Sequence, residues 1–324
     1  MLKLVVFLVL LALVSQSNGR KKEHSVSIED IDPYPFCGHR FLQHGIEFGN
    51  DLRKRRSLEQ GKIIEGKRIV GGRESKQGSW PWQLALLLNG TQFCSGSLIS
   101  REWVVTASHC FHDSYSSTNP KFWTATLGEH KLQEKEVFEQ NRSIERIILH
   151  PKYKSMFLEK IFDTPPDYDI ALIKLAAPAE IKGHVYPICL LGPGMKFYPG
   201  KRCYVTGWGH TEYNGQKPEA LNEAKVKIVA MTSCNKEKSY FGKVHDRAMC
   251  AGWEKGGIDA CQFDSGGPLS CADRFGQYFL TGVVSWGHEC ARPHKYGVYS
   301  NMAVMTPWVW ATILEAEGQQ DDNY

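Results

Sequence analysis

No stretch of this chain is long and apolar enough to cross a bilayer as a helix. Such a span needs about twenty apolar residues, and the longest run, residues 4–14, holds about eleven. Lys3 precedes the run and Ser17-Asn18-Gly19 follows it. That is the pattern of a secretory signal cut after Gly19; the rival, a membrane anchor, lacks the length. Residues 1–19 are therefore expected to be removed, leaving a soluble extracellular protein with no membrane span. Charge of one sign is missing downstream. The net +4 of the 324 residues is held upstream, about +1 in residues 1–19 and about +3 in residues 20–68, so residues 69–324 are near neutral. A neutral region of that size argues against a nucleic-acid partner. Sustained helical periods and internal repeats are absent as well.

What is present is a series of short apolar runs separated by turn residues. Residues 83–88, 103–107, 144–149, 170–175, 202–206, 224–229, 279–286 and 297–301 read as strands, which points to an all-β barrel or sandwich. One helix closes the chain, with Thr306 placed as N-cap, Pro307 at the first helical position, and Trp310, Ile313 and Leu314 on one face. At 42% hydrophobic and 23% charged, the chain is able to bury a sizeable core. Residues 20–68 differ: they are charged, contain Pro33 and Pro35, and show no apolar period, so they read as a pro-segment with little structure of its own. The run Arg53-Lys54-Arg55-Arg56 reads either as a solvated patch or as the site of a furin-like processing protease. Ten cysteines in an exported chain imply disulfides, with roughly nine hundred pairings open from sequence alone.

The chemistry centres on DACQFDSGGPL, residues 259–269. Ser265 lies between an aspartate and two glycines, which allow a tight turn that leaves the hydroxyl uncrowded. A serine hydroxyl is a weak nucleophile and needs a base with an orienting carboxylate. His109 in VVTASHC and Asp169 in DYDIALIKL supply both. Asp167 is the rival for the carboxylate, but the apolar run after Asp169 places that residue at a strand entrance. With RIVGG at residues 68–72, four motifs stand in order: RIVGG, TASHC, DYDIAL and DSGGPL. Together they resemble the trypsin-like, chymotrypsin-fold serine proteases over residues 69 to about 317. The His, Asp, Ser order is the one given for that triad.

The resemblance implies two packed six-stranded antiparallel β-barrels with a C-terminal helix, the site between them, over a protease domain at 69–324. It implies the pairs Cys94–Cys110, Cys203–Cys271, Cys234–Cys250, Cys261–Cys290 and Cys37–Cys189, the last tethering the pro-segment. It implies activation by a cut between Arg68 and Ile69, after which the new Ile69 ammonium pairs with Asp264. Asp259 is then the floor of a pocket for Arg or Lys, with Ser285, Trp286, Gly287 and Gly297 along its walls. Partners follow: protein or peptide substrates with Arg or Lys at the cut, an activating protease or the enzyme itself, and protein inhibitors.

Some positions depart from the family. Phe263 replaces the glycine whose N–H, with that of Ser265, forms the oxyanion hole. Phenylalanine keeps the N–H but tolerates positive φ badly and adds a ring beside the leaving group. Two outcomes stand: an active enzyme with restricted access, or a catalytically impaired homologue that acts by binding. Ser108 replaces the usual alanine, a change expected to be harmless. Tyr296 replaces a common proline, as in sodium-binding clotting-type relatives. Glu129, Glu136 and Glu139 are spaced as in the calcium loop of trypsins, although Lys131 and Lys135 fit a solvated charged loop as well. No cofactor is required by the chemistry. Asn89 and Asn141 head glycosylation sequons. The long stretches at 111–123 and 154–166 read either as limits on substrate access or as surface variation.

Overall fold

Asn89 and Gly90 both have positive φ, 50° and 82°, the two-residue hairpin turn that Asn-Gly favours. After the two-residue β1 (Arg73–Glu74), this turn joins β2 (Gln83–Leu88) to β3 (Thr91–Leu98). β4 (Trp103–Thr106), β5 (Trp123–Leu127), β6 (Gln140–Leu149) and β7 (Ala171–Leu175) complete a closed antiparallel barrel in the order β2-β3-β4-β7-β6-β5. Leu84, Leu86, Val105, Leu127 and Leu172 are buried within this unit. The computed structural model describes residues 37–40, 72–112, 116–155, 165–210, 217–257, 264–288 and 292–321.

β9 (Arg202–Gly207), β10 (Asn222–Val229), β11 (Ala248–Gly252), β12 (Pro268–Ala272), β13 (Tyr278–Trp286) and β14 (Gly297–Asn301) form the second barrel. Its order is β9-β10-β11-β14-β13-β12, closed by the pairing of β9 with β10 and with β12. β1 extends it beside β10, and β8 (Cys189–Leu190) lies parallel to β13. In β10 the alternation is plain: Ala224, Val226 and Ile228 face the core while Lys225 is exposed. Fully burying a Val or Ile is worth about 1.5–3 kcal/mol, so a one-residue slip that turned this row outward is strongly disfavoured.

All eight strands read from the sequence are present. β3, β5, β11 and β12, and the two-residue β1 and β8, were not read: TQFCSGSL, AMCAG and PLSCA build strands from small residues rather than apolar runs, and WTATL carries two threonines among its apolar residues. The terminal helix also needs correction. After the single-turn α1 (Met231–Cys234), α2 runs Met302–Asp321 with Pro307 inside it. Asn301 is the residue at its start, where its Oδ1 accepts from the N–H of Ala303 at 3.1 Å. Thr306 is interior and donates its hydroxyl back to the Met302 carbonyl at 2.6 Å. The buried face is Met302, Met305, Val309, Ile313 and Ala316, whereas Leu314 is exposed.

Among the described residues four disulfides join Cys37–Cys189, Cys94–Cys110, Cys203–Cys271 and Cys234–Cys250. Cys261 and Cys290 lie outside the described residues, as do residues 1–36 and 41–71. Residues 37–40, read as having little structure of their own, are docked on the second barrel. Gly38 donates to the Pro187 carbonyl at 2.8 Å and accepts from the Tyr278 N–H at 2.9 Å.

Candidate active site

Asp169 lies two residues before β7 and is almost fully buried. Its Oδ1 accepts from the His109 backbone N–H at 2.9 Å and its Oδ2 contacts His109 Nδ1 at 2.7 Å. His109 sits in a single 3-10 turn, Ser108–Phe111, which follows β4 and presents the ring at the surface of the first barrel. A third contact crosses from the second barrel: Ser285 donates its hydroxyl to Asp169 Oδ2 at 2.5 Å. Burial alone would push the Asp169 carboxyl up. The charge of His109 and the hydrogen bonds from His109 and Ser285 outweigh that and hold it below the ordinary carboxylate range.

The orientation of Ser285 has a backbone cause. Between β13 and β14, Val284 pairs with Tyr299 and Trp286 with Val298, so Ser285 is an extra residue in the ladder. A bulge of this kind re-aims a side chain. From β14, Ser300 donates to the backbone carbonyl of Asp169 at 2.5 Å. Ser108, expected to be a harmless change, is buried and donates to the Ile170 carbonyl at 2.6 Å. Asp167 is drawn away from the histidine: Arg247 holds both of its oxygens at 2.8 Å.

The Ser265 turn is fixed from two sides. The Ser95 N–H donates to the Ser265 carbonyl at 2.8 Å, while Gly266 and Gly267 exchange hydrogen bonds with Val284 at 2.9 Å. Cys94, next to Ser95, is bonded to Cys110, next to His109. One strand, β3, therefore positions both the serine segment and the histidine. Gly266 has φ of 77°, and a Cβ there would collide with Thr106 Oγ1 and the Ser95 carbonyl, so the residue after Ser265 has room only for glycine. The Cys94 and Cys110 sulfurs and a His109 nitrogen lie within 4.8 Å of one another. The two sulfurs are bonded to each other, so neither is a thiolate ligand for a metal.

The family model for Trypsin matches residues 69–309. This chain belongs to the trypsin family of serine proteases. It is 40% identical over 250 residues to the suppressor of tumorigenicity 14 protein homolog of Bos taurus, covering 76% of this chain and 28% of that protein. It is 41% identical over 246 residues to transmembrane protease serine 7 of Mus musculus, covering 75% and 28%. For transmembrane protease serine 11C of Mus musculus the identity is 38% over 247 residues, covering 76% and 54%. The chain thus spans about a quarter to a half of the length of these relatives. Among the described residues no helix is long and apolar enough to cross a membrane.

Asp264 is fully buried, with Oδ1 accepting from the Gly209 N–H at 2.8 Å. A Cβ on Gly207 or Gly209 would run into its carboxylate, so TGWG is shaped around it. Gly207 and Gly209 of TGWG are the mark of this site in the sequence. Gly287 has open space where a Cβ would stand, and Trp286 packs edge-on against Tyr240 at 4.8 Å. Gly297 opens β14, and Tyr296 before it is buried, its carbonyl taking the Tyr240 hydroxyl at 2.5 Å. Asp259, Phe263, Arg68 and Ile69 lie outside the described residues. Of the sequons, Asn89 is exposed on its turn, whereas the Asn141 amide bonds to Glu139 and Thr126, both at 2.7 Å.

The three glutamates share one loop. Glu136 accepts from the His130 N–H at 2.7 Å and from Gln77 Nε2 at 2.5 Å, and Glu139 accepts from the Glu136 N–H at 3.3 Å. Glu129 is buried, with one carboxylate oxygen lacking any hydrogen-bond partner. Burial, then the charges of Glu139 and Glu136, push its carboxyl up to about 7. The carboxylate oxygens of Glu129, Glu136 and Glu139 do not gather within 4.8 Å of one another, so a cation such as calcium would need loop carbonyls as well as these side chains. Lys131 does not fill that role, because it pairs with Glu134 at 2.8 Å.

Proposed function

We propose that this chain is made as a secreted zymogen and becomes, on cleavage between Arg68 and Ile69, an endopeptidase that cuts after Arg or Lys. The observation that carries the reading is the hold of Asp169 on His109, completed by Ser285, beside the fixed turn of Ser265. His109 takes the Ser265 proton as the hydroxyl attacks the scissile carbonyl, and Asp169 keeps the imidazole in the required tautomer and balances its charge. The proton then passes to the leaving amine, and a water repeats the sequence to release the acyl group. The N–H groups of Phe263 and Ser265 are the donors for the oxyanion. Loss of one such donor costs about 10²–10³ in rate.

Asp259 would pair with the Arg or Lys side chain of the substrate, under the open wall at Gly287. Activation follows from charge. The α-amino group made at Ile69 is cationic below a pKa of about 8, and Asp264, buried against Gly207 and Gly209, is the anion to receive it. Secretion is supported by the leader-like residues 1–19 and by the disulfides, which persist in oxidising compartments. Glu129, Glu136 and Glu139, with carbonyls of the same loop, would hold calcium as a structural ion that takes no part in the reaction. Phe263 favours a second reading, a homologue that binds protein partners without cutting them.

Burst titration separates the two. The protein, cut after Arg68 and with Ile69 confirmed as its N-terminus, is mixed with an arginine ester titrant beside Ser265→Ala. A burst near one equivalent that is absent from the variant supports the protease. No burst from folded, correctly cut protein overturns it in favour of the binding reading.

A further inference from the structure

The segment Cys37 to Arg40 is attached by more than its disulfide. The Arg40 side chain is only 6% exposed. Its guanidinium carbon stands 3.7 Å from the centroid of Trp80, 5.4 Å from that of Tyr278 and 5.9 Å from that of Tyr204. These rings pack on one another, Trp80 lying 5.1 Å from Tyr204 and 5.5 Å from Tyr278. Arg40 Nε donates to the Ser79 carbonyl at 2.6 Å and one terminal nitrogen to the Tyr278 hydroxyl at 3.2 Å. The other terminal nitrogen is 3.6 Å from Glu223 Oε2, near enough for charge pairing and too far for a hydrogen bond.

A guanidinium taken out of water is tolerated only where charge, ring faces and acceptors replace its hydration. Here all three are present, on four segments remote in sequence from Arg40: residues 79–80, β9, β10 and β13. Glu223 is itself buried and held: Trp80 Nε1 donates to it at 2.8 Å, and Arg73 reaches it with Nε at 2.8 Å and a terminal nitrogen at 2.7 Å. Arg73 is also the backbone partner of Glu223 in the β1–β10 pairing. One buried carboxylate thus joins the upstream segment to the strand that begins four residues after Ile69. Gly38 completes the fit. At φ of 71° it brings its backbone against Tyr278, where a Cβ would strike the Tyr278 carbonyl.

We propose that Trp80, Tyr204, Tyr278 and Glu223 form a docking site for the chain's own Arg40, which keeps the upstream segment on the protease after activation even with Cys37–Cys189 absent. The proposal rests on the activation cut described above, and its thermal arm does not. The full chain is prepared as C37S/C189S, cut after Arg68, and run on size exclusion at tens of micromolar under native conditions. The fragment carrying Arg40 is expected to co-elute with the protease, to be lost in R40A, and to be retained in part in R40K. Its loss from C37S/C189S with Arg40 intact overturns the proposal. A failed cut shows as a missing Ile69 N-terminus and counts against the activation reading alone. In that event the uncut chain with its disulfide intact decides: R40A is expected to lower Tm by about 4 °C or more, and an unchanged Tm overturns the docking site.

Discussion

Ser285, on a bulge in the second barrel, donates its hydroxyl across the interface to Asp169 at the entrance of the last strand of the first. The carboxylate that orients His109 is therefore shared property of both barrels. A hydrogen bond to a charged group is worth about 1.5–3 kcal/mol, so Ser285→Ala is expected to lower kcat/KM about tenfold or more on a short arginine amide, with KM little changed. The sign of the stability effect follows from the depressed carboxyl. Its pairing stabilises the fold above the unfolded value near ~3.9 and is lost as pH falls through the folded value. Removing a donor raises the folded value, so the acid-unfolding midpoint of Ser285→Ala is expected to move to higher pH. Unchanged kinetics and an unchanged midpoint would show the contact to be idle.

Arg247 is tied to the same entrance. It clamps Asp167, and its guanidinium lies 4.9 Å from the ring of Tyr168, which sits at φ of 52°. A tyrosine there is strained by about 1–2 kcal/mol, and its ring is held by Arg247 on one contact and by His150 at 4.6 Å on another. Burial pushes the Asp167 carboxyl up, and the Arg247 hydrogen bonds and charge more than reverse that. Arg247→Met is expected to cost about 1–3 kcal/mol in denaturant unfolding and to lower kcat severalfold, with partial rescue by Arg247→Lys. A stability loss with kcat intact would separate the clamp from the position of Asp169.

The Asp169–His109 pair and the Ser265 turn were legible because each sits in a compact local pattern: a turn with glycines around Ser265, an apolar run after Asp169, a cysteine after His109. The strands that escaped sequence reading are built of small residues, whose burial depends on neighbours distant in the chain. Ser285 and Ser300 were illegible as supports for Asp169 for the same reason, since both act through contacts more than a hundred residues away. Proline rules misplaced the start of α2. Pro307 removes one N–H from the second turn, but Asn301 and the buried Met302 had already begun the helix.

Asp264 lies in a cradle of glycine backbone with no room for another shape. If the Ile69 ammonium completes that site after cleavage, charge and not volume is what the site requires. Asp264→Asn, nearly isosteric, is expected to be cut normally after Arg68 and to lose activity by about 10²-fold or more, in line with removal of a buried ion-pair partner. N-terminal sequencing beside the amide assay checks both halves. Full activity in the cut variant would rule out this route of activation.

Glu129 allows a test of calcium that does not depend on catalysis. Its carboxyl is raised to about 7 by burial and by Glu139 and Glu136, so the folded state holds a proton there that the unfolded state has already released. The resulting stabilisation is full below the unfolded value near ~4.3 and is lost as pH rises through about 7. In chelator, Tm is therefore expected to decline between roughly pH 5 and pH 8. Calcium competes with the proton for the same oxygen, so its stabilising shift is expected to be larger at pH 8 than at pH 6. Glu129→Gln, which cannot ionise, is expected to flatten both trends. A Tm that ignores calcium at pH 8 would leave the three carboxylates as a charged loop that binds no ion.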